Sequence, residues 1–269
     1  MVITSNSNEK IKYINSLKEK KNRDKYGKFI LEGIKLVDEY MSSVDNSPEF
    51  IVISSEILLK NSGGDKIYEK IKEYENLIEV NEKIFSKLSE TKTPQGILIV
   101  INKKKDSICD VINSLKNNER ALILDKISDA GNLGTIIRCA VCFGIKNIIC
   151  TKGTADVYSS KVVRSTMGAI YKLNIIYMDY AELENLKNEV SKMNYIFVGT
   201  DLKAKEYINE VNPINKMIYV MGNEANGISD EIKKLCDLYV KIPIENSQES
   251  LNVAIASAIF MYDMYVRGD

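Results

Sequence analysis

The chain of 269 residues contains no histidine. This absence excludes His-based catalytic triads, histidine acid/base chemistry and most zinc enzymes. The sequence also lacks the Gly-x-x-x-x-Gly-Lys-Ser/Thr pattern of a P-loop and the Gly-x-Gly-x-x-Gly pattern of the usual dinucleotide sites. We therefore expect no metal centre and no nucleotide site of either common type.

Long apolar runs and disulfide patterns are missing as well. No stretch of 18 apolar residues is present, so no transmembrane helix is expected, and the first residues lack the apolar core of a signal peptide. Five cysteines are an odd number without a disulfide spacing. With 45% apolar residues, the chain is expected to be a globular, reduced, cytoplasmic protein.

Charge is balanced overall but unevenly placed. The chain has 37 basic and 37 acidic residues, yet residues 1–28 contain eight Lys or Arg against three Asp or Glu. A basic N-terminal arm indicates a polyanionic partner such as RNA. A solvated helix face is the more common explanation for such a run, so charge alone leaves both alternatives open.

Two α/β domains are predicted. Residues 1–102 read as a small α/β module, residues 103–117 as a linker and lead-in, and residues 118–269 as a regular alternation of strands and helices. Such alternation predicts a mostly parallel sheet covered on both faces. In the second domain the strands are expected at 121–124, 147–150, 173–176, 195–199, 217–221 and 238–242.

The most informative segment lies between the first strand and the first helix of the second domain. A polar, glycine-rich loop leads into a helix predicted over 133–143, with Asn132 at the N-cap position. On that helix Arg138 lies more than 100° from the middle of the apolar stripe. In open α/β sheets, ligands bind at such strand-to-helix loops.

Two later loops have the same character. One is Met221-Gly-Asn-Glu-Ala-Asn-Gly-Ile-Ser229, in which Glu224 is the only charged residue. The other runs from Ile242 to Val253 and opens a long apolar helix, for which Ser250 is a plausible N-cap. Each loop alone is a weak signal, but the three together at strand ends are specific.

These motifs resemble those of the SpoU/TrmH-type enzymes in the SPOUT class of S-adenosylmethionine-dependent RNA 2′-O-ribose methyltransferases. The first motif corresponds to Asn132-Leu-Gly-Thr-Ile-Ile-Arg138, the second to Met221-Gly-Asn-Glu224 with Gly227-Ile-Ser229, and the third to Ile242-Pro243 with Ser250-Leu-Asn-Val253. In the first half, Lys21-Asn-Arg-Asp24, Phe29-Ile-Leu-Glu-Gly33 and Thr93-Pro-Gln-Gly96 resemble the small RNA-binding module of the same family.

The resemblance implies an α/β fold with a trefoil knot in the C-terminal domain, a homodimer formed through that domain, and an N-terminal ribosomal-protein-like module that docks RNA. It implies S-adenosylmethionine as cofactor and 23S rRNA as substrate, with no membrane partner. By the same resemblance the site residues are those of catalysis (Arg138, Asn132, Glu224, Ser250, Asn252), of cofactor binding (Thr200, Gly222, Asn223, Ile242, Leu251) and of RNA phosphate contact (Lys21, Arg23, Lys25).

The role of Arg138 has two interpretations. The resemblance implies that it activates the 2′-hydroxyl, but guanidinium groups have pKa values above about 12, so a neutral Arg base is costly. Alternatively, Arg138 pairs with the adjacent phosphate and stabilises the forming alkoxide, and the proton leaves to a phosphate oxygen, water or Glu224. Glu224 either takes that proton or holds the loops through hydrogen bonds to backbone N–H groups.

Several other functions are compatible with parts of this sequence. A methyltransferase acting on tRNA and a non-catalytic RNA-binding or ribosome-assembly factor on the same fold are the main alternatives. A hydrolase using Glu224 lacks a recognisable nucleophile or partner carboxylate. The sequence does not distinguish a housekeeping role from one in antibiotic resistance.

Overall fold

Twelve strands and twelve α-helices alternate along residues 2–43, 47–211, 216–245 and 250–267, which are the residues that this computed structural model describes. The strands are β1 (Val2–Ile3), β2 (Lys28–Glu32), β3 (Phe50–Ile53), β4 (Leu77–Val80), β5 (Ile97–Asn102), β6 (Arg120–Leu124), β7 (Ile145–Thr151), β8 (Asn174–Met178), β9 (Ile196–Thr200), β10 (Glu206–Tyr207), β11 (Met217–Met221) and β12 (Leu238–Lys241). The helices are α1 (Glu9–Ser16), α2 (Lys20–Tyr26), α3 (Ile34–Ser43), α4 (Ser55–Leu58), α5 (Gly64–Ile71), α6 (Glu82–Leu88), α7 (Ile108–Lys116), α8 (Ala130–Cys142), α9 (Ser160–Thr166), α10 (Tyr180–Ser191), α11 (Asp230–Lys233) and α12 (Val253–Arg267).

The chain divides into two structural units, each of which consists of two separate segments of the sequence. The first unit comprises Met1–Lys103 together with Asp156–Gly168, and the second comprises Lys104–Ala155 with Ala169–Asp269. The predicted range 118–269 had assigned the segment 156–168 to the second domain, whereas its contacts assign it to the first unit.

A five-stranded sheet forms the centre of the first unit, in the order β1-β4-β3-β5-β2. Strand β5 is antiparallel to both of its neighbours, and its residues 97–101 are at most 2% exposed. The apolar stripe of α1, Ile11 and Ile14, continues into Leu17 and packs against this sheet in one core cluster.

The segment from the second half of the chain belongs to the core of the first unit. The ring of Tyr158 lies 4.7 Å from that of Phe29 on β2, and Val162 and Val163 of α9 are buried. Asp156 forms an ion pair with Arg23 on α2, with 2.6 Å between Oδ2 and Nη2. These contacts explain why residues 156–168 group with the first unit.

The second unit contains a seven-stranded sheet in the order β10-β12-β9-β11-β6-β7-β8, and every neighbouring pair in it is parallel. Residues 121–124 of β6 are fully buried, as expected of a strand covered on both faces. Helices α7 and α10 pack on one core cluster, and α12 packs against α8.

The predicted α/β class and the mostly parallel sheet are confirmed. All six strands predicted for the second domain overlap observed strands. The two-residue strand β10 was not predicted, because Glu206 and Tyr207 are exposed and have no apolar alternation. The trefoil knot stays a prediction.

Four neighbouring strands direct their carboxyl ends to the same edge of the sheet. These strands are β12, β9, β11 and β6, and all are parallel. The three loops that the sequence analysis singled out follow β6, β11 and β12. The sheet therefore brings together segments that are up to 120 residues apart, as the bond between Asn132 and Asn252 demonstrates.

Candidate active site

Helix α8 begins one turn earlier than the sequence predicted. Its N-cap is Asp129, whose side chain accepts a hydrogen bond from the backbone N–H of Asn132 at 2.8 Å. The prediction that Asn132 caps this helix is therefore wrong. Because Asp129 satisfies the backbone, the side chain of Asn132 is free to bond elsewhere.

The Asn132 side chain joins the three loops. Its Nδ2 donates to Oε1 of Glu224 at 2.8 Å, and its Oδ1 accepts from Nδ2 of Asn252 at 3.0 Å. The second oxygen of Glu224 accepts from Nδ2 of Asn223 at 3.3 Å. Among the described residues, the carboxylate of Glu224 accepts from the side-chain amides of Asn132 and Asn223 and from no backbone N–H group.

The third loop enters α12 through Asn252. The Oδ1 atom of Asn252 accepts from the backbone N–H of Ala254 at 2.9 Å and of Ile255 at 3.3 Å, which is the geometry of an N-cap. The expectation that Ser250 caps α12 is therefore wrong, since the helix begins at Val253. Ser250 is instead exposed at the edge of the cavity described below.

The loop after β11 is closed on itself. Asn223 and Gly227 exchange two backbone hydrogen bonds of 3.0 and 2.9 Å. A Cβ atom on Gly222 would lie 2.2 Å from the backbone of both Gly227 and Ile228, so this close approach requires glycine. The loop is a tight structure whose shape is set by Gly222.

A cavity of about 600 Å³ opens beside these loops, which is within the usual range for small-molecule sites. Backbone and apolar side chains from the ends of β9, β11 and β12 and from the start of α12 line it. All five residues predicted to bind cofactor are in this lining: Thr200, Gly222, Asn223, Ile242 and Leu251. Glu224 and Ser250 line it as well.

Sequence reasoning missed the role of Asp125, which is fully buried at the end of β6. Its Oδ1 accepts from the Thr151 hydroxyl at 2.7 Å, and its Oδ2 accepts from the backbone N–H of Ser229 at 2.6 Å. One carboxylate thereby connects the ends of β6 and β7 with the loop after β11. The signal was an acidic residue placed directly after the apolar run 121–124.

Arg138 is exposed on α8, as the helical period predicted. No ion pair or hydrogen bond involves its side chain in the parts of the chain that the structure describes. Its guanidinium, six residues after Asn132, presents five donors to solvent. Such a group is suited to bind an anionic ligand.

Only two of the three predicted RNA-contact residues are exposed. Lys21 and Lys25 lie on the surface of α2. Arg23 is 6% exposed, and its guanidinium donates to Asp156 and to the backbone carbonyl of Leu17 at 2.9 Å. Its expected phosphate contact is therefore contradicted, because burial and an ion pair occupy its donors.

The cysteines form no disulfide bonds among the described residues, and the same residues contain no candidate metal site. All five cysteines are free. Burial raises the pKa of Cys150 to about 12. Within the described ranges no group of three or more metal-ligating side chains occurs, and no helix is long and apolar enough to cross a membrane.

Comparison with known proteins agrees with this arrangement. Residues 119–262 match the model of the SpoU rRNA Methylase family, and residues 8–99 match an MRM3-like substrate binding domain. The fold and the three joined loops thus define a SpoU-type methylase. The chain belongs to the SpoU rRNA Methylase family.

Several proteins that match nearly the whole chain are named as RNA methyltransferases. The chain is 30% identical over 263 residues, which are 97% of this chain and 98% of the relative, to the 23S rRNA (guanosine(2553)-2′-O)-methyltransferase RlmP of Bacillus subtilis. It is similar to the AdoMet-bound rRNA methyltransferase of Sinorhizobium meliloti, with 26% identity, a TM-score of 0.80 and coverage of 98% and 97% of the two chains. A TrmH-family protein of Porphyromonas gingivalis shares 28% identity with a TM-score of 0.77 over 97% and 98%.

Proposed function

We propose that this protein transfers a methyl group from S-adenosylmethionine to the ribose 2′-hydroxyl of a guanosine in 23S rRNA. The observation that carries the proposal is the hydrogen-bonded series Asn252–Asn132–Glu224, which joins all three family motifs beside a ligand-sized cavity. The names of the Bacillus subtilis relative and of a 31% identical relative from Bordetella pertussis support guanosine and 23S rRNA.

The cavity has the chemistry that S-adenosylmethionine needs. Adenine is bound by backbone donors and acceptors at its edge and by apolar side chains on its faces, and Ile242, Leu251 and the backbone around Gly222 provide these groups in the lining. When bound, S-adenosylmethionine supplies a methyl group on a positively charged sulfur. Thr200 and Asn223 complete the proposed cofactor site.

Arg138 acts in this proposal as an electrostatic clamp. Its exposed guanidinium pairs with the phosphate next to the target ribose and stabilises the oxygen as it loses its proton. Both carboxylate oxygens of Glu224 already accept amide hydrogen bonds, which supports a positioning role for Glu224. The proton then leaves to a phosphate oxygen or to water.

The first unit provides RNA affinity. Lys21 and Lys25 are exposed on one short helix and contact phosphates, which position RNA without reading its sequence. The match of residues 8–99 to a substrate binding domain supports this assignment. An rRNA substrate supports the further proposal that the protein acts in the cytoplasm.

A second copy of the chain completes the proposed assembly. Helix α12 exposes Ile255, Tyr262 and Val266 at positions i, i+7 and i+11, each more than half exposed. An apolar stripe of this kind on a terminal helix is suited to pack against its own copy about a two-fold axis. We propose a homodimer through this face, and light scattering of Tyr262→Glu, which should be monomeric, tests it.

The function is tested by mapping 2′-O-methyl groups in rRNA from cells with and without the gene. The expected result is the loss of one 2′-O-methyl group from a guanosine of 23S rRNA. Position 2553 is examined first, because the name of the Bacillus subtilis relative contains that number. If the 2′-O-methyl groups of 23S rRNA are unchanged and one is missing from a tRNA, the substrate is tRNA and not 23S rRNA. Failure to bind S-adenosylmethionine in calorimetry would favour a non-catalytic RNA-binding protein.

A further inference from the structure

The backbone of Lys126 has an unusual conformation next to the active site. Its φ is 57°, in the left-handed region that favours glycine, which costs a lysine about 1 kcal/mol or more. Backbone strain of this kind is concentrated at functional sites. The conformation is fixed from both sides, because the N–H of Lys126 donates to Thr151 Oγ1 at 3.0 Å and its carbonyl accepts from Asn223 Nδ2 at 2.9 Å.

The same Asn223 amide connects Lys126 to the catalytic loops. Its Nδ2 lies 2.9 Å from the Lys126 carbonyl and 3.3 Å from Oε2 of Glu224. Lys126 is therefore one shared amide away from the carboxylate that joins the three motifs. The hydrogen bonds to Asn223 therefore fix the position of the Lys126 backbone relative to the active site.

The side chain of Lys126 is directed by Gly153. A Cβ atom on Gly153 would lie 3.1 Å from Cγ of Lys126, 3.7 Å from Cβ and 3.8 Å from Cδ, so the aliphatic stem lies over the glycine. Lys126 is nevertheless exposed, and no ion pair or side-chain hydrogen bond holds its ammonium in the described ranges. The stem is held in position, while among the described residues the ammonium has no hydrogen-bond or ion-pair partner.

The charges around this ammonium favour an anionic ligand. Lys152, which precedes Gly153 in the chain, is exposed as well. The carboxylate of Glu224 is occupied by two amides, and that of Asp129 caps α8. An exposed lysine ammonium is a point charge that suits a phosphate.

We propose that Lys126 binds a backbone phosphate of the RNA beside the methylated nucleotide, which makes it an RNA-positioning residue of the catalytic unit. This inference rests on the proposed function, since it requires RNA as the substrate. Lys126 fixes the register of the RNA and does not take part in the chemical step. It therefore affects RNA affinity more than kcat.

Lys126→Gly tests the inference, because glycine accepts the left-handed backbone and removes only the side chain. The measurement is the Kd for in-vitro-transcribed 23S rRNA fragments from 50 to 200 mM KCl. We expect the slope of log K against log[KCl] to become less steep by about 0.7 to 0.9, the value of one phosphate contact. At 50 mM KCl we expect about 10-fold weaker binding, with unchanged Tm or a higher one and unchanged S-adenosylmethionine affinity.

Two further variants control this test. Lys126→Arg should restore the slope, since it keeps the charge. Lys192→Ala, which removes an exposed lysine at the end of α10, should leave the slope and the Kd unchanged. An unchanged slope in Lys126→Gly, a fall in its Tm, or failure of Lys126→Arg to restore binding would overturn the inference. If the wild-type protein binds the RNA without methylating it, the proposed function fails, while the slopes still decide the role of Lys126.

Discussion

The side-chain amide of Asn252, at the start of α12, donates to the side-chain carbonyl of Asn132, in the first turn of α8, across 3.0 Å. These residues are 120 positions apart, and Asn132 in turn donates to Glu224. The backbone N–H of Asn132 donates to Asp129 and the side-chain oxygen of Asn252 caps α12, which leaves Nδ2 of Asn252 to donate to Asn132. Asn132, at the end of the first loop, is therefore the residue that is hydrogen-bonded to both of the other two loops.

Replacing Asn132 by Ala should therefore reduce turnover. The variant loses a hydrogen bond to a carboxylate, which is worth about 1.5–3 kcal/mol. We expect kcat to fall by roughly 10- to 150-fold, because 1.36 kcal/mol corresponds to a factor of ten. Asn132 does not line the cavity, so calorimetry should find the S-adenosylmethionine Kd within a few-fold of wild type. Thr135→Ala, on the same helix, is the matched control and should keep its kcat; equal losses in both variants would contradict the role of Asn132.

Replacing Arg138 by Lys keeps the charge and removes the planar fork. Because a clamp that holds phosphate and forming oxygen needs two donors in fixed geometry, we expect kcat/KM for RNA to fall by roughly 100-fold. Single-turnover methylation of 23S rRNA measures this loss. Turnover close to wild type would exclude a bidentate role.

Gly222→Ala should damage the cofactor site. Its Cβ would lie 2.2 Å from the backbone of Gly227 and Ile228, so the loop has to open. We expect the Kd for S-adenosylmethionine to rise by at least about 10-fold, measured by calorimetry. Gly227→Ala is the comparison, since its Cβ meets no atom within 4 Å and the cost is left-handed strain of about 1 kcal/mol. Equal effects of the two substitutions on the Kd would contradict the steric explanation.

Arg23→Ala should act on stability and not on RNA binding. The side chains of Arg23 and Asp156 are 7% and 12% exposed, and removing one partner of a buried pair costs about 3–5 kcal/mol. Denaturant unfolding should measure a lower free energy of unfolding. Below the melting transition, the salt dependence of RNA binding should match wild type, whereas Lys21→Ala should change the salt dependence and not the stability. The reverse pattern would restore Arg23 as a phosphate contact.

Cysteine labelling should separate Cys150 from the exposed thiols. Since burial raises the pKa of Cys150 to about 12, its thiol stays protonated at pH 8. Mass spectrometry after brief alkylation at pH 8 should find Cys109 and Cys142, which are exposed, modified first. Cys150 should be modified only after unfolding, and labelling at the rate of Cys142 would contradict its burial.

The sequence predicted the sheet of the second unit well because its strands are continuous apolar runs. Such runs occur where a strand is covered on both faces, as residues 121–124 of β6 are. The same rule explains why β10 was missed, since its two residues are exposed at the sheet edge. Burial, when it is uniform along a strand, is visible in sequence.

The contacts of single polar residues were harder to predict. Asn132 and Ser250 are common capping residue types, but the cap depends on which neighbour reaches the free N–H groups, and Asp129 and Asn252 do so. Arg23 reads as a surface cation because its partner Asp156 is 133 residues away. Asp125 has partners that only the folded sheet brings near. The partners of Arg23 and Asp125 are distant in sequence. The helix caps depend on which of several neighbouring residues bonds to the first free N–H groups of the helix.

The crossing of the chain between its two units has a consequence for synthesis. The first unit includes residues 156–168, so Arg23 has no Asp156 to pair with until the ribosome has added 133 further residues. An N-terminal unit that ends at residue 103 would normally fold while the rest is still being made. Here the surface that receives Val162 and Val163 stays uncovered until residues 104–155 of the second unit and the segment 156–168 itself have been synthesised.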